Sequence, residues 1–266
     1  MWHLRAVDSR FLVGEERDPE AKQAAFFCLD QTSGHLLWRD SGFGDQWWIG
    51  ISTVIRDTLL LHGFSSPDMP LPHGIIAVNI PTGKKLWGRP DLVLRGVAGE
   101  NLVGEAATMS GSAFFEISLQ DGTTHGSVDS TRAEDFPLPD DPVEFPVLLE
   151  EAVAGNPGLL ERIEPFISGR MADAPVEVFL HNSRIAVSFH EQRPESTTDN
   201  PHYRHILLMI DTGQQRTIFK RILDADTTRV VPDPFFVFRE TLYCIRERRT
   251  LIAVPVGASR DSSFTS

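Results

Sequence analysis

Polar side chains that could do chemistry gather at the ends of strand-like apolar runs. Two of these runs, LLLHGF at 59–64 and IAVSFH at 185–190, carry a histidine near or at their end and lead through a Pro-rich or polar loop to another strand. Imidazoles and carboxylates bind ligands and exchange protons, and loops on a rigid scaffold are where such groups often act. The candidate ligand-binding residues are Glu15, Glu16, Arg17, His62, His73, His190, Glu191, His202 and His205.

Two adjacent tryptophans, Trp47 and Trp48, complete the set of candidate ligand-binding residues. Neighbouring residues of a strand point to opposite faces of a sheet, so one of the two rings belongs in the core. The other ring then lines a central channel, packs against a neighbouring sheet or stacks on a ligand.

Known catalytic and metal-binding motifs are missing from the sequence. It has no G-x-S-x-G nucleophile elbow, no phosphate-binding loop and no H-E-x-x-H pair. His190-Glu191 lacks the second histidine of a zinc helix, and the calcium-loop pattern that starts at Asp224 and Asp226 ends at Thr227. We therefore predict no metal and no cofactor, and we assign no catalytic residue.

The charge of the chain restricts its partners. The 25 Lys and Arg residues against 37 Asp and Glu residues give a formal net charge of −12. Nucleic-acid binding needs a cationic surface that replaces phosphate counterions, so no nucleic-acid partner is predicted. No apolar run approaches the roughly 20 residues that span a bilayer, and residues 1–16 show no secretory signal, which predicts a cytoplasmic protein without a membrane partner.

The two cysteines, Cys28 and Cys244, lie in the apolar strand-like runs FFCLD and LYCIR. Thiols in a reducing cytoplasm stay unpaired, and apolar runs are buried. Both cysteines are therefore predicted to be free, buried thiols.

A repeated unit is the main structural signal of the sequence. Residues 29–38 read LDQTSGHLLW and residues 78–87 read VNIPTGKKLW, with weaker copies, ISLQDGTTHG and MIDTGQQRT, at 117–126 and 209–217. An apolar run ends at a turn whose glycine adopts positive φ at no steric cost, and in the two clear copies the chain returns with Leu-Trp. The unit is predicted to be a β-hairpin with turn glycines Gly34, Gly83, Gly122 and Gly213.

The strand, the D/N-x-x-x-G turn and the Leu-Trp strand resemble the repeats of quinoprotein-type (PQQ-like) β-propellers. The resemblance implies blades of about four strands that repeat every 40–50 residues or so around an axis. It does not extend to the activity of that class, because quinoprotein dehydrogenases bind a quinone and Ca²⁺ and carry a vicinal disulfide. The two cysteines of this chain are far apart in the sequence.

We predict an all-β protein, a β-propeller of about five four-stranded blades, with six blades as the alternative. The last blade lacks one strand, and a strand at residues 2–7 would complete it and close the ring. A single domain is predicted over residues 1–256, followed by a flexible tail at 257–266. Strands are predicted at 11–17, 25–29 and 36–39; at 47–54, 58–63, 74–80 and 85–88; at 92–97, 102–105, 113–119 and 123–128; at 176–180, 184–190, 205–210 and 216–222; and at 234–239, 241–246 and 251–256.

Residues 130–175 interrupt this pattern and form a predicted insertion. Asn156 and Pro157 are suited to the N-cap and first turn of a helix. The insertion is predicted to carry short helices near 145–168, which either pack against the propeller or serve as a lid or a partner-binding element. The helical apolar spacing is formed by Leu159, Leu160, Ile163, Phe166 and Ile167.

Equivalent strand connections of a propeller emerge on the same face, so the five loop histidines and the Glu15-Glu16-Arg17 stretch are predicted to lie near one end of the disc. The preferred function is a non-catalytic propeller that binds a protein or a small ligand on that face, because catalytic motifs are missing. The alternative is a glycosidase-like hydrolase that uses paired carboxylates around the central channel. A quinone-dependent oxidoreductase is disfavoured. Carboxylates available to a hydrolase are Glu15, Glu16, Glu105 and Glu191.

Overall fold

A computed structural model describes residues 3–7, 10–66, 69–109, 111–139, 143–167, 172–197, 199–247 and 249–257, and most of these lie in antiparallel β-sheets. The chain forms two compact units, residues 1–141 and 142–266, which are called the first and second unit below. The predicted single domain over residues 1–256 joins both units and stays a prediction. The predicted flexible tail, apart from Gly257, lies outside the described residues.

The first unit consists of three four-stranded sheets, and in each the strands pair in chain order. A short 3₁₀-helix, Ser130–Asp135, follows the third sheet. The strands of the first sheet are β1 (His3–Val7), β2 (Phe11–Asp18), β3 (Gln23–Asp30) and β4 (Leu36–Asp40). Those of the second are β5 (Ile49–Ile55), β6 (Thr58–Ser66), β7 (Met69–Asn79) and β8 (Lys85–Arg89). Those of the third are β9 (Val93–Ala98), β10 (Asn101–Thr108), β11 (Gly111–Ser118) and β12 (Thr124–Val128).

The second unit contains a five-stranded and a three-stranded sheet, again with the strands in chain order. Two helices, α1 (Leu149–Gly155) and α2 (Leu159–Ile167), lie between the first two strands of the larger sheet. The strands of the larger sheet are β13 (Val147–Leu148), β14 (Glu177–His181), β15 (Arg184–Gln192), β16 (Tyr203–Asp211) and β17 (Arg216–Thr227). The smaller sheet has β18 (Phe235–Phe238), β19 (Thr241–Arg246) and β20 (Thr250–Pro255).

The fold-class prediction is confirmed. The described residues form successive antiparallel sheets, mostly of four strands, with few helices, which is consistent with a β-propeller. Five sheets appear where five sets of strands are predicted, and the helices fall within the predicted insertion. Leu159, Ile163 and Ile167 of α2 are buried against apolar residues of β14, β15 and β16, so the helices pack on a sheet face.

Tryptophan and glycine of successive repeats interlock in the first unit. The Trp38 indole N–H donates to Ile80 O over 2.5 Å, and a Cβ added to Gly83 would lie 2.6 Å from the Trp38 ring. Trp87 repeats this arrangement on the third sheet, where it donates to Leu119 O over 2.9 Å and covers Gly122. Each Leu-Trp strand thus packs its ring on the glycine turn of the next sheet, where a larger residue would not fit.

The turn glycines are confirmed at three of the four predicted positions. Gly34, Gly83 and Gly122 have φ values of 71°, 68° and 74°. The fourth prediction is wrong, because positive φ falls on Gln215, at 49°, and not on Gly213. In this turn the Asp211 side chain accepts the N–H of Gln214, so the loop closes through a different residue.

The predicted completion of the last sheet by the N-terminal strand is wrong. β1 pairs with its immediate neighbour β2, from His3 opposite Glu15 to Val7 opposite Phe11. A hairpin closes a short loop and therefore loses little chain entropy. The last sheet instead gains an isolated bridge in which Glu144 and Val237 exchange two backbone hydrogen bonds of 2.7 Å.

One predicted loop and one predicted helix cap also differ from the structure. The Pro-rich segment before Gly74 belongs to strand β7, with Pro72 opposite Phe64 and irregular register nearby. Proline is tolerated there because bulges interrupt the hydrogen-bond ladder. Asn156 ends α1, and its carbonyl accepts the N–H of Leu159 over 2.9 Å. Asn156 and Pro157 therefore form the turn between the helices rather than the start of α2.

Candidate functional site

Glu15 and Arg17 form a buried ion pair that joins the first two sheets of the first unit. The two side chains lie on the same face of β2, and Arg17 Nε donates to Glu15 Oε1 over 2.6 Å. The other Glu15 oxygen accepts the N–H of Ile51 over 3.2 Å. The remaining Arg17 nitrogens donate to Trp47 O and Ile49 O over 2.7 and 2.5 Å. We call this arrangement the Glu15 clamp.

His62 lies close to the Glu15 clamp. Gly50 separates them, since a Cβ there would lie 3.5 Å from Glu15 Oε2 and 3.6 Å from the His62 ring. His62 Nδ1 shares a hydrogen bond of 2.7 Å with Ser52 Oγ. Burial lowers the pKa of His62, while the negative charge of Glu15 acts in the opposite direction. This ring is therefore held neutral beside a carboxylate that is already bound to Arg17.

The other candidates of the first unit take separate positions. Glu16 lies on the opposite side of β2, where Arg39 donates to it over 2.8 Å. The prediction that one of the two tryptophans lies in the core is wrong, because both precede β5 and are half-buried. The Trp47 ring lies under the Arg17 guanidinium at 5.0 Å. His73 is exposed. The structure thus brings Glu15, Arg17, Trp47 and His62 together and leaves Glu16 and His73 outside.

A second polar cluster lies on one face of the larger sheet in the second unit. Ile185, Val187 and Phe189 of β15 pack with the helices, whereas Ala186 packs towards the smaller sheet. Ser188 and His190 alternate with Ala186 and share its face. The cluster consists of Glu177, Ser188, His190 and His205, with relative exposures of 9%, 1%, 2% and 2%, and is called the histidine cluster.

Contacts within the histidine cluster follow from strand register. His190 lies opposite His205 and Glu177 lies opposite Ser188 in the paired strands. The two imidazoles stack with centroids 4.2 Å apart and planes at 13°. Ser188 Oγ and His205 Nε2 share a hydrogen bond of 2.7 Å. Tyr203 meets the His190 ring edge-on at 6.0 Å.

Residues 229–234, called the strap, bind to this cluster through their backbone. The N–H of Val231 donates to His190 Nε2 over 3.4 Å, and the N–H of Asp233 donates to Glu177 Oε1 over 2.9 Å. Among the described residues, nothing hydrogen-bonds the buried His190 Nδ1. Asp233 adopts a left-handed φ of 47° between two prolines.

Burial shifts the pKa values of the titratable groups in the histidine cluster towards their neutral forms. Burial lowers the pKa of His205 to about 3, and neighbouring His190 acts in the same direction. Burial also lowers the pKa of His190, which the negative charge of Asp224 opposes. Burial raises the pKa of Glu177, the hydrogen bond from the Asp233 backbone opposes this shift, and the negative charge of Asp233 adds to it. All three groups therefore favour their neutral forms.

Half-exposed groups of both signs surround the strand ends beside this cluster and are called the polar end. Arg204 donates to Glu191 over 3.1 Å, and His202 Nδ1 lies 2.8 Å from Asp226 Oδ1. Arg193 Nη2 lies 2.5 Å from Glu195 Oε1. His190 and His205 neighbour Glu191 and Arg204 in the same strands, and the alternation of side chains places the two histidines on the opposite face of the sheet from that ion pair.

The sequence identified part of these sites. It identified His190, Glu191, His202 and His205 but not Glu177 or Ser188, each of which occupies an inward position of an apolar strand. A polar residue on the buried side of the period-two alternation was the available signal. The prediction that five histidines share one end joins both units and stays a prediction.

Other expectations can be compared with the described residues. Cys28 and Cys244 are free and buried as predicted, and burial raises the pKa of each thiol to about 12. Within the described ranges, no group of three or more His, Cys, Asp or Glu side chains is arranged to hold a metal ion. No helix in the described part of the chain is long and apolar enough to cross a membrane.

Comparisons with known proteins identify a partial match. A family model described as a domain of unknown function (DUF4905) matches residues 7–87, which comprise most of the first two sheets. No curated protein matches the chain.

Three solved structures share low similarity with it. The chain is similar to a eukaryotic initiation factor, with 9% identity, a TM-score of 0.33, and coverage of 96% of this chain and 51% of that one. It is also similar to hydrazine synthase from Kuenenia stuttgartiensis, with 11% identity, a TM-score of 0.30, and coverage of 91% and 64%. A third similar structure is the dihydro-heme d1 dehydrogenase NirN in complex with DHE, with 12% identity, a TM-score of 0.30, and coverage of 94% of this chain and 47% of that one. The chain spans about half to two thirds of these proteins, and such low similarity carries no functional conclusion.

Proposed function

We propose that this chain is a non-catalytic binding protein whose ligand contacts lie at the polar end of the second unit. The observation that carries this proposal is the set of half-exposed polar pairs there, the ion pair of Arg204 with Glu191 and the hydrogen bond of His202 with Asp226. Exposed pairs contribute little to stability, so a ligand can replace either partner at small cost. The groups of both signs suit a protein surface or a small polar molecule that carries donors and acceptors.

The pairing of the carboxylates supports binding over hydrolysis. A glycosidase needs one carboxylic acid and one carboxylate that face the substrate. The four carboxylates that the sequence predicts for that role instead contact arginines, in the pairs Glu15–Arg17, Glu16–Arg39, Glu105–Arg95 and Glu191–Arg204. For Glu105, the hydrogen bonds from Ser112 and Arg95 lower the pKa, which hinders its use as a proton donor.

We also infer that the repeats are of the quinoprotein type, without the quinone chemistry of that class. The support is the tryptophan of each clear repeat, which packs on the glycine turn of the following sheet. This similarity concerns the packing between the sheets and implies no cofactor.

A thermal-shift screen against sugars, nucleotides, quinones and metals tests the proposed function. A ligand at 100 times its Kd adds about 2.7 kcal/mol to stability and raises Tm clearly. The shift should disappear in Glu191→Ala, Arg204→Ala and persist in Arg95→Ala, Glu105→Ala, which removes an ion pair from the first unit. A shift that both double variants retain would contradict a site at the polar end. A screen without any shift would leave a protein partner as the proposed ligand.

A further inference from the structure

The strap is anchored at both ends and covers the histidine cluster between them. Thr227 Oγ1 accepts the N–H of Arg229 over 3.2 Å and donates to its carbonyl over 2.8 Å. At the other end Phe235 is buried in the core shared by the two sheets. Between these anchors, the bonds from Val231 and Asp233 hold the strap on His190 and Glu177. The middle of the strap therefore depends on two titratable side chains.

The bond from Val231 fixes the tautomer of His190. A backbone N–H can donate only to a nitrogen with a free lone pair, so Nε2 is unprotonated and the proton of the neutral ring lies on Nδ1. Protonation of the ring would place a second proton on Nε2. That nitrogen would then be a donor facing another donor, and its hydrogen bond with Val231 would be lost.

The groups around His190 determine how it responds to acid. His205 and Tyr203 face it from β16, and burial keeps His205 neutral as well. Asp224 of β17 favours a proton on His190. Glu177 of β14 and Asp233 of the strap are further acidic groups around the cluster. A proton is thus disfavoured by burial in the closed state and is favoured as soon as water reaches the ring.

We propose that the strap is an acid-sensitive lid: a proton on His190 Nε2 replaces the bond from Val231 and releases residues 229–234 from the histidine cluster. The strap leaves β17 directly after Asp226 and Thr227, beside the polar end. Its release exposes His190 and His205 on the strap side of the sheet, whereas Glu191 and Arg204 alternate with them towards the other face. Because the strap follows Asp226 in the chain, the lid regulates the part of the proposed binding surface that contains His202 and Asp226, and in this role it rests on the function proposed above.

NMR measurement of hydrogen exchange between pH 7.5 and 5 tests the lid without any ligand. Opening that is linked to one proton should lower the protection factor of the Val231 amide by up to roughly tenfold for each pH unit below about 6.5. Protection factors are corrected for the intrinsic pH dependence of exchange. The Leu208 amide, in the core of β16, reports global opening and should lose less protection than Val231 over the same range.

His190→Gln separates titration from hydrogen bonding. The glutamine carbonyl can accept the N–H of Val231 and does not titrate, so protection of Val231 should become nearly independent of pH. The matched control is His202→Gln, which removes a histidine from the polar end and should keep the wild-type pH dependence. Unchanged pH dependence in His190→Gln, or equal loss of protection at Val231 and Leu208 in the wild type, would overturn the proposal.

A second measurement on the wild-type protein covers the case in which His190→Gln does not fold. Imidazole ¹⁵N shifts should show Nδ1–H as the neutral tautomer of His190, and its protonation midpoint should coincide with the loss of Val231 protection. The opposite tautomer, or midpoints more than about one pH unit apart, would refute the lid. If these NMR results contradict the lid while the thermal-shift screen still finds a ligand at the polar end, the lid is rejected and the binding function stands. If the screen fails while the NMR results agree with the lid, the binding function is rejected instead.

Discussion

The two buried polar clusters of this chain stabilise their titratable groups away from water in opposite ways. In the first unit the charges of Glu15 and Arg17 are kept, and backbone groups of Trp47, Ile49 and Ile51 bind the remaining polar atoms. In the second unit burial keeps His190 and His205 neutral, and a long hydrogen bond holds the strap on His190. A fully bonded ion pair makes a rigid joint between sheets, whereas neutral titratable groups leave an interaction that a proton can break.

The largest expected effect is the loss of the Glu15 clamp. Arg17→Ala leaves the Glu15 charge buried without a counterion and should lower the free energy of unfolding of the first unit by about 3–5 kcal/mol. All five tryptophans, at positions 2, 38, 47, 48 and 87, belong to this unit, so urea unfolding followed by tryptophan fluorescence reports on it.

Arg39→Ala is the matched control for the clamp. The side chains of Arg39 and Glu16 are 56% and 39% exposed, against 11% and 1% for Arg17 and Glu15. The loss of stability should therefore stay within about 0–1 kcal/mol. Equal losses in the two variants would show that the buried pair is no more important than a surface pair.

The loss of stability from the Glu15 clamp can be compared with that from Trp87, whose apolar ring joins two sheets of the same unit. Trp87→Ala removes a buried ring and its bond to Leu119 O, and should cost about 3–5 kcal/mol. Trp38→Ala should lower the free energy of unfolding somewhat less, because Trp38 is only half-buried. Urea unfolding monitored by far-UV circular dichroism measures both. A loss below about 1 kcal/mol would remove these residues from the core that joins the sheets.

Acid should destabilise the second unit because its histidines gain protons more easily when unfolded. The lowered pKa values of His190 and His205 mean that the unfolded chain binds more protons below pH 6.5 or so. Each histidine then removes up to about 1.4 kcal/mol of stability per pH unit, for His205 down to its pKa of about 3.

Glu177 acts in the opposite direction. Its raised pKa means that the folded state takes up a proton more readily than the unfolded chain, which adds stability as the pH falls through that pKa. His62 and the more exposed His3 give the first unit an acid-induced loss of the same sign as the histidine pair, and the negative charge of Glu15 opposes the shift of both. Hydrogen exchange in β16 and β2 at pH 7 and 5 compares the units. A larger loss in β2 would contradict the difference between the clusters.

The smallest expected effect is the difference in stability loss when each of two serine–histidine hydrogen bonds of equal length is removed. Ser188 with His205 and Ser52 with His62 both span 2.7 Å. Ser188→Ala leaves a fully buried imidazole nitrogen unpaired and should cost about 1–3 kcal/mol. Ser52→Ala should cost less, because its surroundings are half-buried and water can replace the hydroxyl. Denaturation of both variants at pH 7.5 measures the difference, and a greater loss in Ser52→Ala would contradict it.

Local sequence predicted the strands well because each repeat carries its own turn chemistry. The Asp or Asn before the turn and the glycine within it define the hairpins at Gly34 and Gly83. The pairing partner of β1 was predicted wrongly, since an apolar run near the N-terminus fits either the first or the last sheet. His190 and His205 were predicted at strand ends beside a ligand-binding loop, yet both are buried within paired strands that continue past them or begin before them.

The sequence by itself determined the alternation of strands and turns, the acidic charge, and the helices between the sheets, because these depend on residues close together in the chain. Only the tertiary structure decided that Glu15 binds Arg17 and the backbone of the second sheet, and that Val231 and Asp233 reach His190 and Glu177. Those contacts join residues that are distant in sequence. The protonation of each group depends on the burial and neighbours that such contacts create, which no local pattern encodes.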